Sequence, residues 1–264
     1  MPAPEISSSV LLRSEETGGR LAAIEITVAA GWGGPPLHHH DFDEAFYVLA
    51  GELTFQVADE YATAGPGALA FAPRGVHHTL ANLSGAEARY LLVCTPGGFE
   101  RRFDPAPSEP APETTFVGPR IASGTRGTPL PVPDGRPKVL LRSEQTDGHV
   151  SLVDSVVPAD ATGPYLHTHD FDEAFYIVEG ELTFQVEDRL VTVAKGEIAF
   201  APGGVPHTFT NRSGEPARQV IVCTPAGFER HFARMAAKRA GAEPPEWALQ
   251  PIPEVTRVGP QIAS

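Results

Sequence analysis

Two sets of four residues have the types and spacing needed to hold a metal ion: His38, His40, Glu44 and His78, and then His167, His169, Glu173 and His207. On an extended strand side chains alternate faces, so His38 and His40 project the same way from Cα atoms about 7 Å apart, as do His167 and His169. A turn at Asp41-Phe42-Asp43 carries Glu44 onto the next strand, and His78 arrives from a distant hairpin. Three neutral imidazoles and one carboxylate suit a divalent transition metal (Fe, Mn, Ni, Co, Cu or Zn) better than Mg or Ca. Four protein ligands leave positions open on a six-coordinate ion, so such a site can be catalytic as well as structural.

The elements that must position these residues are themselves repeated. His40-Asp41-Phe42-Asp43-Glu44-Ala45-Phe46-Tyr47 recurs unchanged from His169 to Tyr176, a constant offset of 129 that also relates Gly51–Val57 to Gly180–Val186 and Gly98–Arg101 to Gly227–Arg230. Two homologous units follow. The runs 21–29, 44–49, 53–57, 68–72 and 89–94, with their counterparts, are short strands separated by Gly and Pro turns, which predicts an all-β sandwich or barrel. A domain at 1–123, a Pro- and Gly-rich linker at 124–137 and a second domain at 138–264 are expected. Phe116–Ser123 is echoed by Arg257–Ser264, and both echoes read as docked segments. The second unit gains residues before its echo; there Phe228, Phe232 and Met235 recur at helical spacing with Arg234, Lys238 and Arg239 toward the end, which predicts a short C-terminal helix. In the first unit Pro105 stops the same helix.

These segments resemble the two signature motifs of the cupin superfamily. The first is matched by His38-X-His40, Glu44 and Gly51 and again by His167-X-His169, Glu173 and Gly180. The second is matched by Gly67, Pro73-X-Gly75, His78 and Asn82 and again by Gly196, Pro202, Gly204, His207 and Asn211. The resemblance departs at the glycine expected six residues before the first histidine, where Trp32 and Ala161 stand. It implies two tandem jelly-roll barrels (double-stranded β-helices) with the four ligands inside each, one metal ion per domain.

The remaining histidines, His39, His77, His149 and His231, belong to no motif and are read as surface residues or as supports behind the ligands. Cys94 and Cys223 lie in matching strands and read as small buried hydrophobes. Phe46, Phe55 and Phe71, with Phe175, Phe184 and Phe200, flank the ligands and suggest an aromatic lumen suited to an apolar or aromatic small molecule. Resemblance to quercetinase-like bicupins implies a metal-dependent dioxygenase acting on an aromatic or enolisable substrate, with Glu44 or Glu173 as the catalytic carboxylate. A metal-dependent isomerase or cyclase that uses no oxygen, and a non-catalytic small-molecule-binding bicupin, are the other readings.

Composition excludes several classes. The 33 acidic residues outnumber 20 basic ones, for a formal charge of −13, and no basic run offers a phosphate footprint, so nucleic acid is not an expected partner. No apolar run reaches the ~20 residues of a membrane span, and the first residues lack a secretory pattern, so a cytoplasmic protein is expected. Exposed sheet edges make a homodimer a further expectation.

Overall fold

The computed structural model describes residues 5–262. The chain divides into two units, residues 1–132 and 133–264. In the first, a five-stranded antiparallel sheet runs Ile6–Leu12, Ala22–Val28, Ala88–Thr95, Asp43–Ala50, Leu69–Ala72. It faces a second sheet in the order Thr115–Phe116, His38–His39, His78–Ala81, Leu53–Val57, Glu60–Ala64, Thr128–Pro129. This is a jelly roll, and the second unit repeats it. One of its sheets comprises Lys138–Leu141, Ser151–Val157, Ala217–Thr224, Asp172–Glu179 and Ile198–Ala201. The other comprises Arg189–Ala194, Glu181–Val186, His207–Thr210, His167–Thr168 and Thr256–Arg257.

Alternation decides which residues form each core. Glu44, Phe46 and Val48 share the inward face of their strand, and Phe46 and Val48 join Phe55, Leu92 and Ile24 in one apolar cluster. Burying each such side chain is worth about 1.5–3 kcal/mol. Val153, Phe175, Ile177, Phe184 and Ile221 form the matching cluster of the second unit. The same alternation corrects one expectation: Phe71 pairs with Ala45 and Phe200 with Ala174, on the strand faces opposite Phe46 and Phe175, so neither belongs to the barrel interior.

Both echoes are docked. Thr115–Phe116 pairs with His38–His39, and Thr256–Arg257 with His167–Thr168, while Ile121 and Ile262 are buried. The segment read as a linker is partly built in, since Thr128–Pro129 pairs in parallel with the edge strand Glu60–Ala64 and Leu130 packs on the first core. An edge position tolerates Pro129 because its missing N–H breaks no central ladder. The helix Glu229–Ala240 carries Glu229 in its first turn and Lys238 and Arg239 in its last, and ends at Gly241 in the left-handed conformation. In the first unit only a 3₁₀ turn, Phe99–Phe103, forms before Pro105.

Candidate metal centres

Local pairing brings the first four residues together. His38 sits opposite His78 in the ladder, and the turn after His40 delivers Glu44 at the start of its strand. The turn is pinned by Gly75, whose N–H donates to the His40 carbonyl (2.8 Å) from a left-handed conformation, and by Asp43, which accepts from the Arg74 backbone and guanidinium. Asn82 braces the entry loop, its Nδ2 donating to the carbonyls of Val28, Ala29 and Ala86; it is not a ligand. Its backbone N–H meets the Trp32 carbonyl, and that of Asn211 meets the Ala161 carbonyl. The entry turn therefore closes through its backbone at the positions where the expected glycine is missing.

In each unit three histidines and a glutamate present one ligand atom each, all within 4.8 Å of one another. His40 Nε2 lies 3.1 Å from His78 Nε2, and Glu44 Oε2 lies 3.2 and 2.9 Å from them. In the second unit the three distances among His169, His207 and Glu173 are each 3.1 Å. Seven of the eight residues are buried and His167 is half-buried. Phe42 stacks on His40 with ring centroids 3.5 Å apart, and Phe171 on His169 at 3.6 Å, which fixes those imidazole planes.

The protonation pattern is dictated by the backbone. Every Nδ1 of the six imidazoles is 2.7–2.9 Å from a carbonyl oxygen: Pro36, Phe42 and Val76 in the first unit, Tyr165, Phe171 and Val205 in the second. A carbonyl only accepts, so each Nδ1 carries a proton and each neutral ring turns an Nε2 lone pair toward its neighbours and the carboxylate. Acceptors converging on acceptors are satisfied by a cation between them, either a metal ion or, without one, a proton on an Nε2. A divalent transition metal fits this donor set, and each unit could hold one through the three Nε2 atoms and the glutamate.

Electrostatics agree. Burial alone would raise the Glu44 and Glu173 carboxyls, but hydrogen bonds and charge from His40 and His78, and from His169 and His207, outweigh it and hold both at about 2. His78 is opposed by burial yet raised by its hydrogen bond to Glu44, whereas burial lowers His38 and His167. Cys94 and Cys223 are free thiols, buried behind the glutamates and pushed upward by burial and by those carboxylates.

A family model for the cupin domain matches residues 24–94 and again 153–223. The chain belongs to the cupin family. Among solved structures, the oxalate decarboxylase of Bacillus subtilis at pH 4.6 is similar to this bicupin with 18% identity, covering 84% of this chain and 72% of that one at a TM-score of 0.59. An oxalate decarboxylase studied for its substrate binding mode and reaction specificity is 17% identical, covering 95% and 84% at 0.61. One studied for proton-coupled electron transfer is 16% identical, covering 83% and 73% at 0.62. At such identity the likeness is one of fold. No curated protein matches the chain.

In the second unit of the bicupin a cavity of about 940 Å³ opens from His167, Glu173 and His207, walled by Phe175, Phe209, Phe228, Phe232 and Met235. Of these aromatics only Phe175 stands among the six suggested for a lumen. His231, read as a surface residue or a support behind the ligands, lines the cavity; its ring stacks on Phe228 at 5.0 Å, and burial, then the Arg234 charge, lowers it. The signal was present in the helix spacing, because 228, 231, 232 and 235 fall on one helical face. His77 and His39 are both part-buried, His39 beside the ligands.

Proposed function

We propose that this bicupin is a metal-dependent oxygenase of the dioxygenase type, acting on a small aromatic or enolisable molecule held in the second barrel. The observation that carries this reading is the apolar cavity that opens from the ligand set. An oxalate-sized dianion would occupy little of it and meet mainly phenylalanine, whereas a planar aromatic body would remove those walls from water. When bound, a transition metal would supply Lewis acidity toward a substrate oxygen and a path for electrons between substrate and dioxygen. His167, His169 and His207 would hold it through Nε2, each ring fixed by the carbonyl at its Nδ1. Glu173 turns Oε2 toward the imidazoles, and its ionised carboxylate, whose Oε1 accepts a weak bond from Cys223 Sγ–H at 3.7 Å, would take the proton of an enol or phenol hydroxyl. Glu44 is its counterpart in the first unit, among His38, His40 and His78.

The test is oxygen uptake by the metal-loaded protein with a panel of flavonols and enolisable aromatics. Uptake that follows substrate loss one for one is the expected result. Turnover that proceeds unchanged under nitrogen would refute the oxygenase reading and favour an isomerase or cyclase.

A further inference from the structure

The ligand sets are identical in the two units, but the barrel interiors above them are not. At the constant offset, Ser155, Ala161, Phe209 and Gln219 of the second unit correspond to Ile26, Trp32, Leu80 and Tyr90 of the first. In the first unit Ile26, Leu80 and Tyr90 are buried members of the core, and Trp32 packs against it. In the second, Ser155, Ala161 and Gln219, each smaller or more polar than its counterpart, line the cavity together with Phe209.

Gln219 is the unusual member of that wall. It is 1% exposed, its Nε2 donates a long bond to Ser155 Oγ at 3.4 Å, and its Oε1 has no hydrogen-bond partner among the described residues. A buried carbonyl oxygen without a donor is costly, and the side chain that carries it lines the cavity, so a small turn of the amide would bring Oε1 to a donor on a ligand. Its place on the strand Ala217–Thr224 sets a length. Ala217, Ile221 and Cys223 all join the second core, so Gln219 shares their inward face. Cys223 pairs with Glu173, and Gln219 is four residues away, about 13 Å along the strand.

We infer that the second unit is the substrate-binding one and that Gln219, supported by Ser155, is its specificity-determining residue. Gln219 Oε1 accepts a hydrogen bond from a hydroxyl or N–H at the far end of a planar aromatic ligand about 10 Å long whose near end meets the metal ligands. The assignment rests on the reading of this cavity as the substrate chamber. The first unit, filled by Tyr90 and Trp32, keeps its ligand set but has no room at this register for such a ligand.

The test compares 3-hydroxyflavone with its 4′-hydroxy derivative, which share a chelating end and differ by one distal hydroxyl. Each is titrated by fluorescence against the metal-loaded protein under nitrogen. The hydroxylated compound should bind about tenfold more tightly. Gln219→Leu and the near-isosteric Gln219→Met should bind the parent compound as before and lose the preference. Gln219→Tyr, which copies the first unit, should abolish binding of both, and Tyr90→Phe should change neither. Metal content and thermal unfolding identify the folded variants, and Gln219→Met carries the test if Gln219→Leu does not fold. A preference that survives in Gln219→Met, binding that survives Gln219→Tyr, or a native protein that binds neither compound or both alike would overturn the assignment. Absence of oxygen uptake alongside a Gln219-dependent preference would overturn the oxygenase reading alone. Uptake with no dependence on Gln219 would overturn this inference alone.

Discussion

A divalent ion titrated into protein whose second centre is disabled by His167→Ala and His169→Ala should release about one proton from the first centre below neutral pH. The three Nδ1 atoms already hold protons against backbone carbonyls, so any further proton sits on an Nε2, where the metal would bind. His78 is the residue that keeps it: burial opposes the charge, but the 2.9 Å bond to Glu44 raises His78 above its ordinary value of 6.5. Glu44, held at about 2, is ionised throughout, and burial pushes His38 toward its neutral form. A raised pKa means that the proton is bound below it, so the ion must displace it there and finds a free lone pair only above it. Affinity should therefore fall about tenfold, or about 1.4 kcal/mol, for each pH unit from 6.5 down to 5. Calorimetry in buffers of different ionisation enthalpy reads the released proton directly. A flat affinity over that range, with heats independent of buffer, would refute the assignment of the proton to the Nε2 cluster.

Replacing Glu44 or Glu173 singly by alanine should halve the metal content measured by elemental analysis, since each belongs to a separate ligand set, and an unchanged content would count against that set. Glu229→Ala should destabilise the second unit by about 3 kcal/mol in urea unfolding. It strips the acceptor from the buried N–H groups of Ser143 and Gly227, and a loss below about 1 kcal/mol would show that water replaces it. Burial and the neighbouring carboxylates raise both thiols, so Cys94 and Cys223 hold little thiolate at pH 8 and should react with a disulfide reagent only after denaturation; rapid labelling of native protein would contradict their placement.

The ligand sets were legible because metal chemistry constrains residue type and spacing at once, and the repeat doubled the signal. Strands with strong β propensity, such as Leu53–Val57, were legible to the residue. Ile6–Leu12 was not, because four exposed residues, three of them serines, open it and leave no alternation to read, and it lies at a sheet edge where pairing rather than burial defines it. Phe71 and Phe200 were misplaced by a one-residue phase: each stands beside inward alanines on a four-residue strand, where composition says aromatic but parity says outside. The cavity was illegible for another reason. Its walls come from Phe209 on a strand and from Phe228, His231 and Phe232 around the helix, residues that only tertiary packing assembles.

The pairing of Thr115–Phe116 with His38–His39 has a consequence for the order of events during synthesis. All four first-unit ligands have been made once His78 leaves the ribosome, yet the strand that covers the His38–His39 edge follows almost forty residues later, a lag of roughly 2–8 s at ordinary elongation rates. During that interval the two-residue ligand strand has its other edge bare. Closing so long a loop carries an entropic cost that local turns do not bear, which places this pairing late in the assembly of the unit. The nascent chain thus owns its ligands before it owns the frame that holds them, and the second unit repeats the lag over a longer interval, between His207 and Thr256.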